Sequence, residues 1–235
     1  MLMIIHHGFS QKKEGQYTVA RVNEPVNIDA DWDKPVWKKV EALTLNYHMG
    51  EKPNHFPKVQ AKIAYDSHNV YLIWKVEDQF IRAVAENHQG PVFKDSCVEF
   101  FFIPDNLGAN EYFNLEMNCG GTMLFHHQDH EDRSSTRVSI SNEDIAKMKV
   151  AHSLPRMIPD EIQEKTTWYL EYSIPFQVLD KYYSLETPGS GTRWKANLYK
   201  CADDTSHPHW LTWSPIDFPR PNFHLPQFFG QLVFE

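Results

Sequence analysis

Apolar and polar residues alternate along most of this chain, and the alternation predicts strands nearly throughout. Val59, Ala61, Ile63 and Tyr65 alternate with Gln60 and Lys62; Asp66-Ser67-His68-Asn69 supplies turn chemistry; Val70, Leu72, Trp74 and Val76 then alternate with Tyr71, Ile73 and Lys75. Together these pieces make a hairpin. Residues 17–22, 26–28, 98–103, 112–117, 122–125, 168–174 and 194–201 read as further strands, each ended by clusters of Pro, Gly or Asp. Residues 29–37 read as an Asp-rich turn closed by Trp37. Only 142–148 and 176–183 carry a helical pattern, the second starting just after Pro175. Roughly eight to eleven short strands with one or two short helices predict an all-β fold, an antiparallel β-sandwich of jelly-roll or immunoglobulin-like type. Residues 17–235 are expected to form one such domain, with 1–16 a poorly ordered extension. A chain of 235 residues buries roughly 70% of its unfolded surface, enough for one core.

The end of the chain breaks the pattern informatively. Trp210-Leu211-Thr212-Trp213 and Leu232-Val233-Phe234 read as strands, while Pro215, Pro219, Pro221 and Pro226 forbid helix and central strand between them. The stiffened loop presents Phe223 between Asn222 and His224. Aromatics held at the edge of a β scaffold are where binding sites are often built; a ring folded onto the core is the competing reading. Trp32, Trp37, Trp74, Trp168 and Trp194 fall at strand-alternating positions and read as core, Trp213 as packing inward, and Trp210 as a residue that can line a site.

Composition narrows the class of partner. With 23 basic and 31 acidic residues the net charge is −8, which repels phosphate backbones, so nucleic acid is not an expected partner. No apolar run is long enough for a membrane span. Cys97, Cys119 and Cys201 are odd in number and sit in strand-like contexts, which reads as small buried hydrophobes and not a disulfide framework. The opening Met1-Leu2-Met3-Ile4-Ile5 lacks the basic leader and cleavage site of an export signal. Two features stand out chemically. Glu99 interrupts the otherwise apolar run 97–103, and a carboxylate there must be paired, ligand-bound or at a rim. His126-His127-Gln128-Asp129-His130 resembles a metal sequence, but a strand would point His126 and His127 to opposite faces.

Five spaced elements resemble family 9 carbohydrate-binding modules, a sandwich family of the DOMON-like superfamily. They are Ile28-Asp29-Ala30-Asp31 followed by Trp37; Ala64-Tyr65-Asp66 followed by Val70-Tyr71-Leu72 and Val76-Glu77-Asp78; Asp95-Ser96-Cys97-Val98-Glu99-Phe100-Phe101; Glu171-Tyr172-Ser173-Ile174-Pro175-Phe176; and Trp213-Ser214-Pro215 with Phe223-x-x-Pro226-x-x-Phe229-Gly230. They occur in the family's order over about residues 18–234. The resemblance implies a non-catalytic module that holds an oligo- or polysaccharide end between two aromatic rings. It also implies a role in polysaccharide utilisation, a glycoside hydrolase as partner and an extracytoplasmic setting. Some members bind calcium, here through Asp29, Asp31 and Asp78 as candidate ligands, with turn capping as the alternative reading; no other cofactor is implied.

Carried onto this sequence, the sandwiching rings fall on Phe93 and Phe223, both phenylalanine where the family has tryptophan. The sugar-binding glutamate matches Glu99. The family's arginine and asparagine fall near residues 113–116, where Asn114 and Glu116 are the polar candidates and no arginine stands. Trp210 and His224 complete the candidate set. A sugar offers an apolar face ringed by hydroxyls, so flat rings beside carboxylates and amides are the chemistry it needs. Two rivals use the same residues: a glycosidase with Glu99 and Glu116 as its carboxyl pair, and a haem-binding sandwich with Met117 or His126 as axial ligand.

Overall fold

The computed structural model describes residues 14–104, 111–129 and 136–235; most of the expected N-terminal extension, residues 1–13, lies outside them. Two sheets face each other. The first runs in the order β10 (Thr136–Ser139), β9 (Met123–Asp129), β8 (Glu111–Asn118), β7 (Cys97–Ile103), β14 (Arg193–Cys201), β16 (Gly230–Phe234) and β1 (Gln16–Arg21). The short β15 (Trp210–Thr212) pairs with β14 and with β3 (Tyr47–His48). The second runs β1, β4 (Lys58–Tyr65), β5 (Asn69–Asp78), β13 (Thr166–Pro175) and β11 (Lys149–His152), with β2 (Leu43–Thr44) beside β4. A separate pair joins β6 (Ile81–Ala83) to β12 (Ile158–Ile162). The predicted hairpin is β4–β5, in register from Lys58↔Glu77 to Tyr65↔Val70.

One strand departs from the antiparallel expectation. β1 runs parallel to both its neighbours: Gln16–Val19 pair with β16 and Ala20–Arg21 with β4. It therefore leaves one sheet for the other along its own length and stitches them together. Its partners come from distant parts of the chain, so no hairpin connection forces them antiparallel. Residues 26–28, expected as a strand, stay outside the ladders, although Val26 is buried against Trp37 and Tyr71. The Asp-rich turn ends in a single helical turn, α1 (Pro35–Lys38), where Pro35 presets the backbone. The other helices are α2 (Asn142–Ile145), capped by the Ser141 hydroxyl, and α3 (Phe176–Tyr182).

The inner faces of the sheets make the main core, with Val98, Phe100 and Phe102 of β7 opposed to residues such as Leu72, Trp74 and Leu170. Trp37, Trp74, Trp168 and Trp194 are fully buried, and Trp213 packs inward. Trp32 differs from the core expectation: it is half-buried, with the Lys62 ammonium 4.2 Å above its ring. β7 is buried along its whole length because its second face is also covered, by Phe223, Phe229 and Ile216 of the C-terminal loop. That double cover explains the continuous apolar run at 100–103. Gly230 marks how tightly the loop closes: a Cβ there would stand 2.5 Å from the Gly15 carbonyl and 2.9 Å from the Trp213 ring.

Candidate functional site

Period-two geometry decides which side chains meet on that second face. It collects Cys97, Glu99 and Phe101 from β7, Tyr112, Asn114 and Glu116 from β8, Leu124, His126 and Gln128 from β9, and Tyr199 and Cys201 from β14. Glu99, Asn114, Glu116 and His126 are among the residues that floor an open cleft of about 290 Å³.

Two loops wall the cleft. On one side a 3-10 turn, Val92–Lys94, presents Phe93, and its carbonyls at Phe93 and Lys94 accept the N–H groups of Asp203 and Asp204 at 3.2 and 3.0 Å. The turn and the loop after β14 thus hold each other. On the other side the proline-rich loop is pinned by two tyrosines: Tyr199 Oη donates to the Phe223 carbonyl at 3.2 Å, and Tyr112 Oη pairs with His224 Nδ1 at 2.8 Å. The Phe223 ring lies parallel on Tyr199, 4.1 Å between centroids at 5°. Trp210 reaches the cleft from β15 with its Nε1 donating to Asp203 Oδ1 at 2.8 Å.

All seven residues expected from the sequence, Phe93, Glu99, Asn114, Glu116, Trp210, Phe223 and His224, line this one cleft. Phe93 and Trp210 are half-buried. Phe223 is only 8% exposed, so it belongs to the apolar cluster as well as to the cleft wall. Sequence reasoning missed Asp203, Arg137 and Gln128, and did not bring His126 to this surface. His126 and Gln128 share the parity of Leu124 on β9; a strand carried to Asp129, instead of stopping at Phe125, would have found them. Arg137 comes from β10, an edge strand unread in the sequence. It supplies the cation that the β8 segment lacks.

The floor is a chain of polar contacts in a dry setting. Gln128 Nε2 donates to Asn114 Oδ1 at 2.9 Å, and Asn114 Nδ2 donates to Glu116 Oε1 at 3.0 Å. The Cys201 thiol donates to Glu99 Oε1 at 3.0 Å. Glu116 Oε2 is buried with no partner among the described residues. Glu99 and Glu116 are register partners on adjacent strands. Burial raises the Glu99 carboxyl well above the usual range, with Cys201 and Glu116 adding to the effect. Burial likewise lifts Glu116 to about 7, against the opposing pull of the Asn114 hydrogen bond and of Arg137. Asp203 is also raised, chiefly by burial. Burial, with Arg137 and His224 nearby, lowers His126 to about 4, so it stays neutral near pH 7.

The aspartates expected as a calcium set stand in two separate places. Asp78, at the end of β5, is buried with its Oδ1 2.7 Å from His55 Nε2 and its Oδ2 3.5 Å from Lys200 Nζ. Asp29 and Asp31 belong to another network. Asp29 Oδ1 accepts the Asp31 N–H at 3.1 Å and the Lys34 ammonium at 2.8 Å. That ammonium also reaches Glu171 at 2.6 Å and the Asn27 carbonyl. The three aspartates do not converge, and Lys34 already supplies the positive charge of the turn. Among the described residues, the one grouping with metal-ligand spacing is Cys97, Glu99 and Cys201, all buried; all three cysteines are free and buried, as their contexts imply. The two alternative axial ligands of the haem reading face different ways. Met117 lies in the core between the sheets, whereas His126 lies on the cleft face.

The family model described as Carbohydrate-binding family 9 matches residues 31–234. A candidate carbohydrate-binding protein from Bacteroides uniformis ATCC 8492 is 30% identical with a TM-score of 0.83, covering 95% of this chain and 100% of that one. A family 9 module from Caldicellulosiruptor kristjanssonii in complex with cellotriose is 16% identical with a TM-score of 0.62, over 94% of each chain. A structure with glucose from the same organism is 16% identical with a TM-score of 0.58, covering 94% of this chain and 96% of that one. At such identity the last two establish a shared fold. No curated protein matches.

Proposed function

The chain belongs to carbohydrate-binding family 9, a family of non-catalytic modules, and from that premise we propose that the cleft over β7, β8, β9 and β14 is its sugar site. The observation that carries this reading is convergence: rings and polar groups spread from Phe93 to His224 line a single concave surface. Phe93, Trp210 and the open edge of Phe223 offer apolar area to the C–H face of a pyranose. Glu99, Asn114, Glu116 and His224 offer acceptors and donors to its hydroxyls. A cleft of about 290 Å³ suits a short saccharide or the end of a longer one. Glucose and cellotriose, held by the Caldicellulosiruptor modules, make a gluco-configured ring the first ligand to try.

Glu99 and Glu116 stand opposite each other on neighbouring strands, and the family over residues 31–234 is one of carbohydrate binding and not of hydrolysis. The module is therefore read as holding its sugar for a separate enzyme, with a glycoside hydrolase as the functional partner. Titration calorimetry with glucose, cellobiose and cellotriose, beside a reducing-end assay on the same mixtures, tests both halves. Saturable heat that weakens in Phe93→Ala, with no new reducing ends, is the expected result. Absence of binding across a wide glycan panel would remove the site. Release of reducing ends that is lost in Glu99→Gln would make the protein an enzyme.

A further inference from the structure

The floor of this cleft carries its acceptors as two opposed acids, an arrangement with a consequence beyond hydroxyl binding. Glu99 and Glu116 stand directly opposite on adjacent strands, a placement that brings their Cβ atoms to about 4.5–5.5 Å and is unfavourable for two like charges. Asp203 adds a third acid on the wall. The donors present do not balance them. Cys201 serves one oxygen of Glu99 and Asn114 one oxygen of Glu116, while Glu116 Oε2, 5% exposed as a residue, meets no donor among the described residues.

The other titratable groups facing the pair do not change this. His126 of β9 is held neutral by burial, and His224 of the C-terminal loop is engaged with Tyr112. Arg137 of β10 is the cation that lines the cleft, and its side chain stands on the exposed edge, where solvent screens it. Lys200 of β14 is turned away, committed to His209 at 2.8 Å and to Asp78. The opposed glutamates thus share one solvent-screened guanidinium, while Asp203, which also accepts the Trp210 N–H, feels Lys94 and Lys200 as well.

Building on the sugar-site reading, we infer that the cleft prefers an amino sugar, a glycan carrying a protonated amine, over the neutral sugar of the same backbone. An ammonium group brings three donors and the positive charge that the opposed pair needs in order to ionise. When it enters, the carboxyls that burial keeps protonated give up their protons to the buffer and stay as carboxylates against it. Binding of the amine is therefore coupled to proton release, which binding of a hydroxyl is not.

Cello-oligosaccharides, chitosan oligosaccharides and chitin oligosaccharides share backbone and linkage and differ at one ring carbon, which carries a hydroxyl, an amine or an acetamide. Titration calorimetry of all three in mildly acidic solution, in two buffers of different ionisation enthalpy, reads the preference and the protons together. The expected result is about tenfold tighter binding of the amine series than of either other series. Proton release should accompany the amine series alone, and the advantage should shrink toward unity in Glu116→Gln and in Glu99→Gln. Equal or weaker binding of the amine series, or an advantage that persists in both variants, overturns the inference. If the cello series binds while the amine gains nothing, the sugar site stands and only the amine preference falls. If no glycan binds at all, both fall.

Discussion

The indole Nε1 of Trp210 donates to Asp203 Oδ1 at 2.8 Å, so the one tryptophan at the cleft is aimed by an acid from the loop after β14. That loop in turn donates backbone N–H groups to the turn carrying Phe93. One acid therefore ties together two ring-bearing walls. Asp203→Ala is expected to weaken glycan binding several-fold, about 1 kcal/mol for a lost hydrogen bond, and to move the melting temperature little because Asp203 is partly exposed. Intrinsic fluorescence should report a more mobile Trp210. Wild-type affinity in the variant would show that the indole needs no such support.

Phe93 and Phe223 separate binding from stability. Phe93 is half-buried on a turn, so Phe93→Ala should weaken glycan binding by about 1 kcal/mol or more while leaving the unfolding midpoint nearly fixed. Phe223 is 8% exposed and stacked on Tyr199. Phe223→Ala should cost about 3 kcal/mol of stability as well as affinity, since it leaves a cavity against that ring. Paired denaturation and titration of the two variants check this; identical stability losses would mean that both rings are core.

The strands were legible because their inner faces alternate: β4, β5 and β13 lie where the period-two pattern puts them. β1 was legible as a strand but not as a parallel one, because pairing with β4 and β16 depends on contacts far along the chain. Glu99 announced itself as an acid inside an apolar run. That Glu116 sits directly opposite was hidden, because register between β7 and β8 is set by the three-dimensional pairing and not by either strand alone. His126 and Gln128 were hidden for a different reason: both are buried polar residues on a strand covered on two sides, so their segment shows no apolar alternation to read. Asp78 looked like a turn acid, and only the fold brings Lys200 and His55 to it.

Lys34 and Glu171 carry the acidic turn. Glu171 is fully buried and accepts the N–H groups of Asp29 and Ala30 at 2.9 and 2.7 Å and Trp37 Nε1 at 2.7 Å, beside the Lys34 ammonium. Ala30 sits in the left-handed region at φ 61°, a conformation this anchoring helps to hold. Lys34→Met keeps most of the stem but leaves the carboxylate without its counter-charge. About 2–3 kcal/mol of stability should be lost, below the usual cost of breaking a buried pair because three N–H donors remain. Calcium added to the wild-type protein should leave the midpoint of this region unmoved, since the ammonium already fills the oxygen site. A large calcium-dependent rise would show that a metal displaces Lys34.

The raised Glu116 carboxyl gives a pH signature whose sign is fixed. In the unfolded chain the group ionises near its ordinary value of 4.5, and in the folded protein near about 7. Between those values the folded state keeps a proton that the unfolded state has released, so this group lowers stability as pH rises through the window and holds the full cost above it. The cost is up to about 3 kcal/mol. The slope of the wild-type protein alone does not isolate it, because His126 and His209, lowered by burial to about 4 and about 3, make stability rise with pH over part of the same range. The difference between Glu116→Gln and wild type removes those terms. It also eases the repulsion on Glu99, which acts in the same direction. The variant's stability relative to wild type should therefore climb from pH 4.5 to about 7 and then level, as followed by denaturant midpoints at several pH values. A difference that stays flat across the window would place the Glu116 carboxyl in water in both states and remove the dry floor from the cleft.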